Sequence, residues 1–513
     1  MKKILFLGLI AVLFSFILTS CEKDSPVDTS NDTINPVSQF VYDGMSTYYL
    51  WANEVVNKKP TVADTDPEAY FYRILNSTDR QHGWSWITDD VQSLLNDFSG
   101  TPKASGAPSF TFMNANSQNY AIVNYVFPDT PASNAGLKRL DIIGQIDGKP
   151  ITDSNFGKLY GSDPVTFSIY KLTANDIVKD RDISITPTVI STNPVLLDSI
   201  YEIGDKKIGY LFYTDFISEF NNSLFQEFSK LKTAGITDLV LDLRYNHGGA
   251  ITAATYLSSL VAPKNYVQSK STLVKLSYNT DLNNYFDAHK YSRSYLLGEY
   301  DNTSEQNPLT NNLDLPRIYI IATRDSYSAA ELTIFCLKPY MEVIHIGNKT
   351  GGKYTASWTL HAYDTLPDEN GNVRAVPIYD KNELTSDEQQ SLTNWAMQPI
   401  VAKYTDKGGL DFSATDGLLP DSSNIFNEGF GYIDYWTPLG DTKDVFLGQA
   451  LYLITGDNSY QPVQPKAARA TNLPIISNQK LHNPKDFKMQ SVILDNIKMS
   501  SGELRSITDE LRK

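Results

Sequence analysis

Arg317-Ile-Tyr-Ile-Ile-Ala-Thr-Arg-Asp-Ser-Tyr-Ser-Ala-Ala-Glu-Leu332 reads as a buried strand, a short polar turn and the opening of an apolar helix. Arg317–Ala322 is apolar almost without interruption, as strands covered on both faces are. Ala329–Leu337 then continues as a helix. The same rhythm extends upstream. Lys207–Phe212 predicts a strand and Phe220–Ala234 a helix with Leu224, Phe225, Phe228 and Leu231 on one face. Asp238–Leu243 predicts a second buried strand and Ile251–Leu260 another helix. Strands and helices alternating in this way argue for an α/β core. A longer polar excursion is expected from about Val267 to Asn312, and a turn-rich stretch beyond Ser357 with a closing helix over Val445–Ile454.

A chain of 513 residues is too long for one ordinary core, so a multidomain protein is expected. Residues 36–99 read as a helical N-terminal domain: Val41, Met45, Tyr48, Tyr49 and Trp51 recur at helical spacing. Asp64-Thr-Asp-Pro-Glu68 reads as a cap followed by a helix with proline in its first turn. Residues 100–195 change to short β-like runs, with Tyr120–Val126 alternating as a strand does. The α/β core then spans 196–460, and 461–513 form a C-terminal extension.

The composition, 41% hydrophobic and 20% charged, is that of a globular protein. Lys and Arg total 44 against 59 Asp and Glu, a formal charge of −15 with no basic cluster, which excludes a nucleic-acid partner. That charge also repels anionic membrane, so membrane attachment needs a separate device. Residues 1–21 provide one: Lys2 and Lys3, then an uncharged apolar run from Ile4 to Leu18, too short for a stable span. The run ends in Leu18-Thr-Ser-Cys21, which resembles the cleavage site of bacterial prolipoproteins, whose cysteine carries the lipid. A signal peptide over 1–21, lipidation at Cys21 and a polar tether over 22–35 are expected, placing the protein in a bacterial cell envelope, periplasmic or surface-facing. The only other cysteine, Cys336, is flanked by apolar residues and reads as a buried helix residue. No cofactor is expected, nor a metal, since the six histidines are scattered and none pairs with a cysteine at ligand spacing.

Chemistry concentrates in three segments. Ser328 stands where the turn meets the helix, facing unsatisfied N–H groups and a positive dipole end that favour an oxyanion. Alone, it reads as a helix cap. Leu241-Asp-Leu-Arg-Tyr-Asn-His-Gly-Gly249 runs a buried strand into a double glycine that lets the backbone approach a ligand closely. Ile346-Gly-Asn-Lys-Thr-Gly-Gly-Lys353 delivers a lysine from a glycine turn. A serine hydroxyl needs a base, and a lysine serves only when an apolar site holds it neutral. With no histidine suitably placed, a Ser–Lys dyad fits better than a Ser–His–Asp triad.

Asp242-Leu-Arg-Tyr-Asn-His-Gly-Gly249, Ser328-Ala-Ala-Glu331 and Thr350-Gly-Gly-Lys353, in this order, resemble the signature segments of the carboxyl-terminal processing (tail-specific) serine proteases. Gly209-Tyr-Leu, Gly417-Leu-Leu-Pro-Asp421 and Ala450-Leu451 extend the likeness over most of residues 36–456. The segment Phe127–Ile151, with Pro131-Ala and Ala135-Gly-Leu137, resembles a PDZ domain of the bacterial protease type. The resemblance implies a crotonase-like βαβ protease core, with Ser328 as nucleophile and Lys353 as general base. It also implies an oxyanion hole from the N–H groups of Ala329 and of Gly248 or Gly249. Polypeptides would be the partners, captured through their C-termini by the PDZ-like domain, the helical and PDZ-like domains together gating access to the dyad.

Some positions depart from the family pattern. Leu140 replaces a glycine before Asp141, His247 a proline before the double glycine, and Ser357 a glutamine four residues after the lysine. Ser357 and Glu331 are the candidates for support of the dyad. His247 reads as a structural loop residue or as the mark of a His-based variant, and Arg244 as a structural ion-pair or turn residue. Ser326 is set aside as nucleophile because Ser328 has the register to Glu331 and Lys353. Two other functions stand beside endopeptidase: an inactive peptide-binding lipoprotein, and a Ser–Lys esterase or amidase.

Overall fold

The structure is a computed structural model that describes residues 33–462, 493–494 and 499–512, apart from 116, 174–175, 369–370 and 429–436. The expected signal peptide, Cys21 and most of the tether lie outside the described residues.

The apolar runs pair as a five-stranded sheet in the order Val195–Ile203, Lys206–Tyr213, Asp238–Asp242, Arg317–Ala322, Glu342–Gly347. Only the first strand is antiparallel to its neighbour. Alternation along these strands divides the interior in two. Leu211, Leu239, Leu241 and Ile320 face the helices Asn221–Ala234, Ile251–Val261 and Ala329–Leu337. Tyr210, Phe212, Val240 and Ile321 face the other way, against Phe446, Leu447 and Leu451 of the helix Val445–Thr455. The layout is thus helices on both faces of a mostly parallel sheet. Its C-terminal strand ends carry Asp242, Ala322 and Gly347, and the three chemistry-bearing segments follow from them.

The N-terminal helices Pro36–Tyr48, Pro67–Ile74 and Ser77–His82 do not build a separate core. Phe40, Met45, Tyr48, Phe71 and Ile74 share one apolar cluster with the α/β core. The strand Trp86–Thr88 pairs with Ala396–Gln398, sewing this segment to the region beyond Ser357. Residues 109–185 form an antiparallel sheet around Val123, Ile143 and Phe167. Within it, the tight turn after Ile142–Ile146 places Asp147 at φ 52° and Gly148 at φ 73°. Leu140, in the place of the family's glycine, holds φ 73°, so the backbone there keeps the conformation that glycine would enter freely. Arg139, which donates to Asn124 O within this unit at 2.6 Å, joins it to the core by donating to the Tyr245 hydroxyl at 2.9 Å.

Residues 267–312, expected as a longer polar excursion, contain regular elements. They hold the strand Thr272–Tyr278 and the helix Thr280–His289. That strand belongs to a second mixed sheet with Ile400–Thr405 and Thr355–Ser357. The two-residue strand Ile493–Leu494 lies in this sheet between Gly249–Ala250 and Ser357, parallel to both. The helix Ser501–Leu511 then buries Leu504 and Ile507 in the same core as the N-terminal helices.

Candidate active site

The turn after Arg317–Ala322 is fixed before Ser328 is reached. Ser326 Oγ donates to Leu243 O at 2.6 Å and accepts from Thr323 N at 2.9 Å, so this hydroxyl has a purely local structural role. Tyr327 N donates to Asn246 O at 3.0 Å, which brings the serine turn against the glycine segment. Ser328 then takes φ 66°, ψ −115°, a combination that non-glycine residues rarely adopt. Its hydroxyl is fully buried and has no hydrogen-bond partner among the described residues. A strained backbone that presents an unengaged hydroxyl at a helix N-terminus is costly for stability and suited to a nucleophile.

Lys353 is completely buried. Desolvation drives its amine down from 10.5 to about 7, while the carboxylates of Asp79 and Glu331 pull the other way. Near neutral pH a substantial share of this lysine is therefore unprotonated.

Glu331 unites the two segments. It is fully buried and accepts four hydrogen bonds: from Ser328 N at 2.8 Å, Lys353 N at 2.8 Å, Gly352 N at 2.7 Å and the Thr350 hydroxyl. Burial raises its carboxyl to about 7 against the opposing effect of these donors. Tyr404 adds a second tie, its hydroxyl donating to Ser328 O at 3.2 Å and Lys353 O at 2.9 Å.

Gly248 and Gly249 lie against the serine turn. A Cβ on Gly248, at φ 103°, would fall 2.7 Å from Ser328 Cβ and 3.0 Å from Ala329 N. A Cβ on Gly249, at φ 133°, would fall 2.2 Å from Phe216 O. One correction to the sequence reading concerns Gly248: its N–H donates to Asn246 Oδ1 at 2.8 Å and is thus engaged within its own loop. An Asn two residues before a glycine can close such a local turn, and this takes Gly248 out of the donor pair in this conformation. Ala329 is buried at the first position of the helix that Ser328 precedes.

The remaining candidates fall in distinct places. Ser357 is buried and accepts from Gln398 Nε2 at 3.1 Å, so a glutamine amide from a neighbouring strand reaches the position where the family carries its own. His247 lines the cleft beside Gly248, and burial lowers it to about 4, leaving it neutral at physiological pH. Arg244 is fully buried between Asp242, at 2.7 Å, and Asp444, at 2.7 Å, which makes it a brace under the glycine loop. Cys336 is a buried free thiol within the Ala329–Leu337 helix. Among the described residues no group of His, Cys, Asp or Glu is arranged to hold a metal, and no helix is long and apolar enough to cross a membrane. A cleft of about 570 Å³ reaches from Gly248 and Gly249 past Phe216 to Trp86, Phe127 and Tyr160, so all three parts of the chain wall it.

Three residues at this site carry no sequence signal of their own. Asp79 looks like an ordinary first-turn acid of the helix Ser77–His82. Tyr404 and Gln398 sit in strands far along the chain from the motifs they touch.

Residues 207–423 match the model of peptidase family S41, and residues 37–86 match the S41 N-terminal domain. A carboxy-terminal-processing protease of Bartonella bacilliformis is 30% identical over 354 residues, covering 66% of this chain and 72% of that protein. A carboxyl-terminal-processing protease of Picosynechococcus is 26% identical over 339 residues, covering 65% of this chain and 66% of that one. The chain thus spans about two thirds of the length of these curated relatives. The crystal structure of a Bacteroides fragilis protein described as an S41 protease shares the fold, with a TM-score of 0.60 at 24% identity over 81% of this chain and 97% of that one. The chain belongs to peptidase family S41.

Proposed function

We propose that this protein is a serine endopeptidase that cleaves exported polypeptides with a Ser328–Lys353 dyad. The observation that carries the reading is a buried serine hydroxyl with no hydrogen-bond partner among the described residues and a fully buried lysine whose amine is lowered to about 7, both residues tied to Glu331. Neutral Lys353 takes the proton from Ser328 Oγ as the oxygen attacks the scissile carbonyl, then returns it to the departing amine. The N–H groups of Ala329 and Gly249 stabilise the oxyanion, aided by the N-terminal end of the Ala329–Leu337 helix.

Two features favour a polypeptide over a small ester or amide. The cleft is walled by residues from three parts of the chain. The slot between Gly249–Ala250 and Ser357 takes an extended segment by strand pairing on both edges, as the pairing of Ile493–Leu494 illustrates. We read the sheet of residues 109–185, with its short helix Pro131–Asn134, as a PDZ-like module that captures substrate C-termini. Residues 1–21 and Cys21 are read from the sequence as an export signal and lipid anchor, which the mass of the mature N-terminus tests directly.

Incubation with unfolded protein substrates tests the central reading. Wild type cleaves, Ser328→Ala does not, and a blocked C-terminus on the substrate slows cleavage. Equal rates with free and blocked C-termini would remove the capture role from the PDZ-like module.

A further inference from the structure

The N-terminal segment brings a buried carboxyl, that of Asp79, into the electrostatic surroundings of Lys353. Asp79 is fully buried, and three donors converge on it: the Tyr49 hydroxyl at 2.7 Å, Ser85 N at 2.8 Å and the Ser85 hydroxyl. All three donate and so favour the ionised form, as does Lys353, against the burial that raises this carboxyl above the usual carboxylate range. Nothing in the N-terminal helices themselves calls for a buried anion. Its nearby cationic counterpart is Lys353, on which it is the foremost opposing charge.

The placement is tightly built. Ser85 Oγ, besides holding Asp79, accepts from Ile400 N at 2.9 Å, and Leu50 N donates to Ile400 O at 2.8 Å. Ile400 is the cross-strand partner of Ser357, four residues after Lys353. Trp84 meets Tyr354, the residue after the lysine, edge-to-face at 5.4 Å between ring centroids. Trp86 pairs in register with Gln398, whose amide holds Ser357. The segment 84–86 thus touches the residue after the lysine and the strand residues Gln398 and Ile400, and its Ser85 holds Asp79.

We propose that Asp79 is a positioning residue for Lys353, a buried carboxylate through which the N-terminal segment completes the base half of the dyad. This rests on the dyad reading given above. Burial alone would leave the amine neutral but feebly basic, and a useful base needs a proton affinity matched to the working pH. Asp79 opposes that loss. The other titratable and charged groups around Lys353 are Glu331, from the Ala329–Leu337 helix, and two tyrosines. Tyr404 donates to Lys353 O, and Tyr354, the next residue, lies under Lys403. Both tyrosines are raised by burial and stay neutral, so among these groups the two carboxylates are the ones that oppose the effect of burial on the amine.

The test follows the rate at which a fluorophosphonate labels Ser328 in the full-length protein, as a function of pH. In wild type the rate climbs through a limb set by Lys353. Asp79→Asn moves that limb about one pH unit lower and reduces the plateau rate, because the amine loses an opposite charge. Tyr49→Phe, which removes one donor to the carboxylate, moves it the same way by less and covers the case in which Asp79→Asn fails to fold. A limb that stays in place in Tyr49→Phe and in a folded Asp79→Asn, whatever happens to the plateau, would show a merely structural Asp79 and overturn the inference. Wild type unlabelled at every pH would overturn the dyad itself, and this inference with it.

Discussion

Ser328 and Lys353 donate their backbone N–H groups to the same oxygen of Glu331, each at 2.8 Å, and their carbonyls accept from one hydroxyl, that of Tyr404. The two residues are 25 positions apart on different elements, yet neither can move without disturbing the same carboxylate. A side chain that reads as half of a capping box is therefore the joint of the candidate site.

Glu331→Ala strands four buried donors, three backbone N–H groups and the Thr350 hydroxyl. Leaving buried donors unsatisfied costs about 1–3 kcal/mol each, only partly recovered by relaxation, so a loss of about 3–5 kcal/mol is expected in urea denaturation. Fluorophosphonate labelling of Ser328 is lost with it. A variant that keeps both stability and labelling would remove Glu331 from this role.

Ser328 stores strain. Its φ of 66° and ψ of −115° mirror the extended region, which glycine enters freely and alanine does not. Ser328→Gly is expected to be more stable than Ser328→Ala by about 1 kcal/mol, a part of the usual cost of such a conformation, with both variants inactive. Equal denaturation midpoints would mean that the serine is not strained.

Lys353→Met replaces a buried amine by an apolar chain of similar length, so activity is lost while stability near neutral pH holds or rises. The pH dependence carries a sign. In wild type the folded lysine titrates at about 7 and the unfolded one near 10.5, so between these values the unfolded chain binds more protons. Wild-type stability therefore gains from this group as pH rises from about 7 towards 10.5, and the methionine variant lacks that gain. Urea midpoints at neutral pH and at pH ~9 check it. The same difference between the two pH values in both proteins would contradict a lysine held near neutrality.

Gly248→Ala puts a methyl group 2.7 Å from Ser328 Cβ at a positive φ. The clash pushes the serine turn away from the glycine loop, so the labelling rate of Ser328 falls at least about 100-fold, as misplacing a reactive group by roughly 1 Å does. An unaffected rate would show that the two segments tolerate separation.

Much of the α/β core is legible in the sequence, because strands covered on both faces are apolar without interruption. Lys207–Phe212 and Arg317–Ala322 fall within observed strands, and Asp238–Leu243 overruns its strand, Asp238–Asp242, by one residue. The strand Thr272–Tyr278 is not legible in the same way, because Lys275 and Ser277 break its apolar run and one of its two partner strands, at 402–405, is over a hundred positions away. Leu140 shows the opposite case, a departure in residue type beneath which the backbone conformation is kept. Ser328, Lys353 and Glu331 stand inside motifs and could be named from them. Asp79 could not: its meaning comes from folding the N-terminal segment onto Ile400 and Tyr354, a juxtaposition no local pattern records.

The Ser328–Lys353 dyad is probed by incubating an unfolded protein substrate with wild type, Ser328→Ala and Lys353→Met and analysing the products by mass spectrometry. It predicts cleavage by wild type that increases as pH rises through about 7, and none by either variant. Cleavage that persists in Ser328→Ala or in Lys353→Met would contradict it.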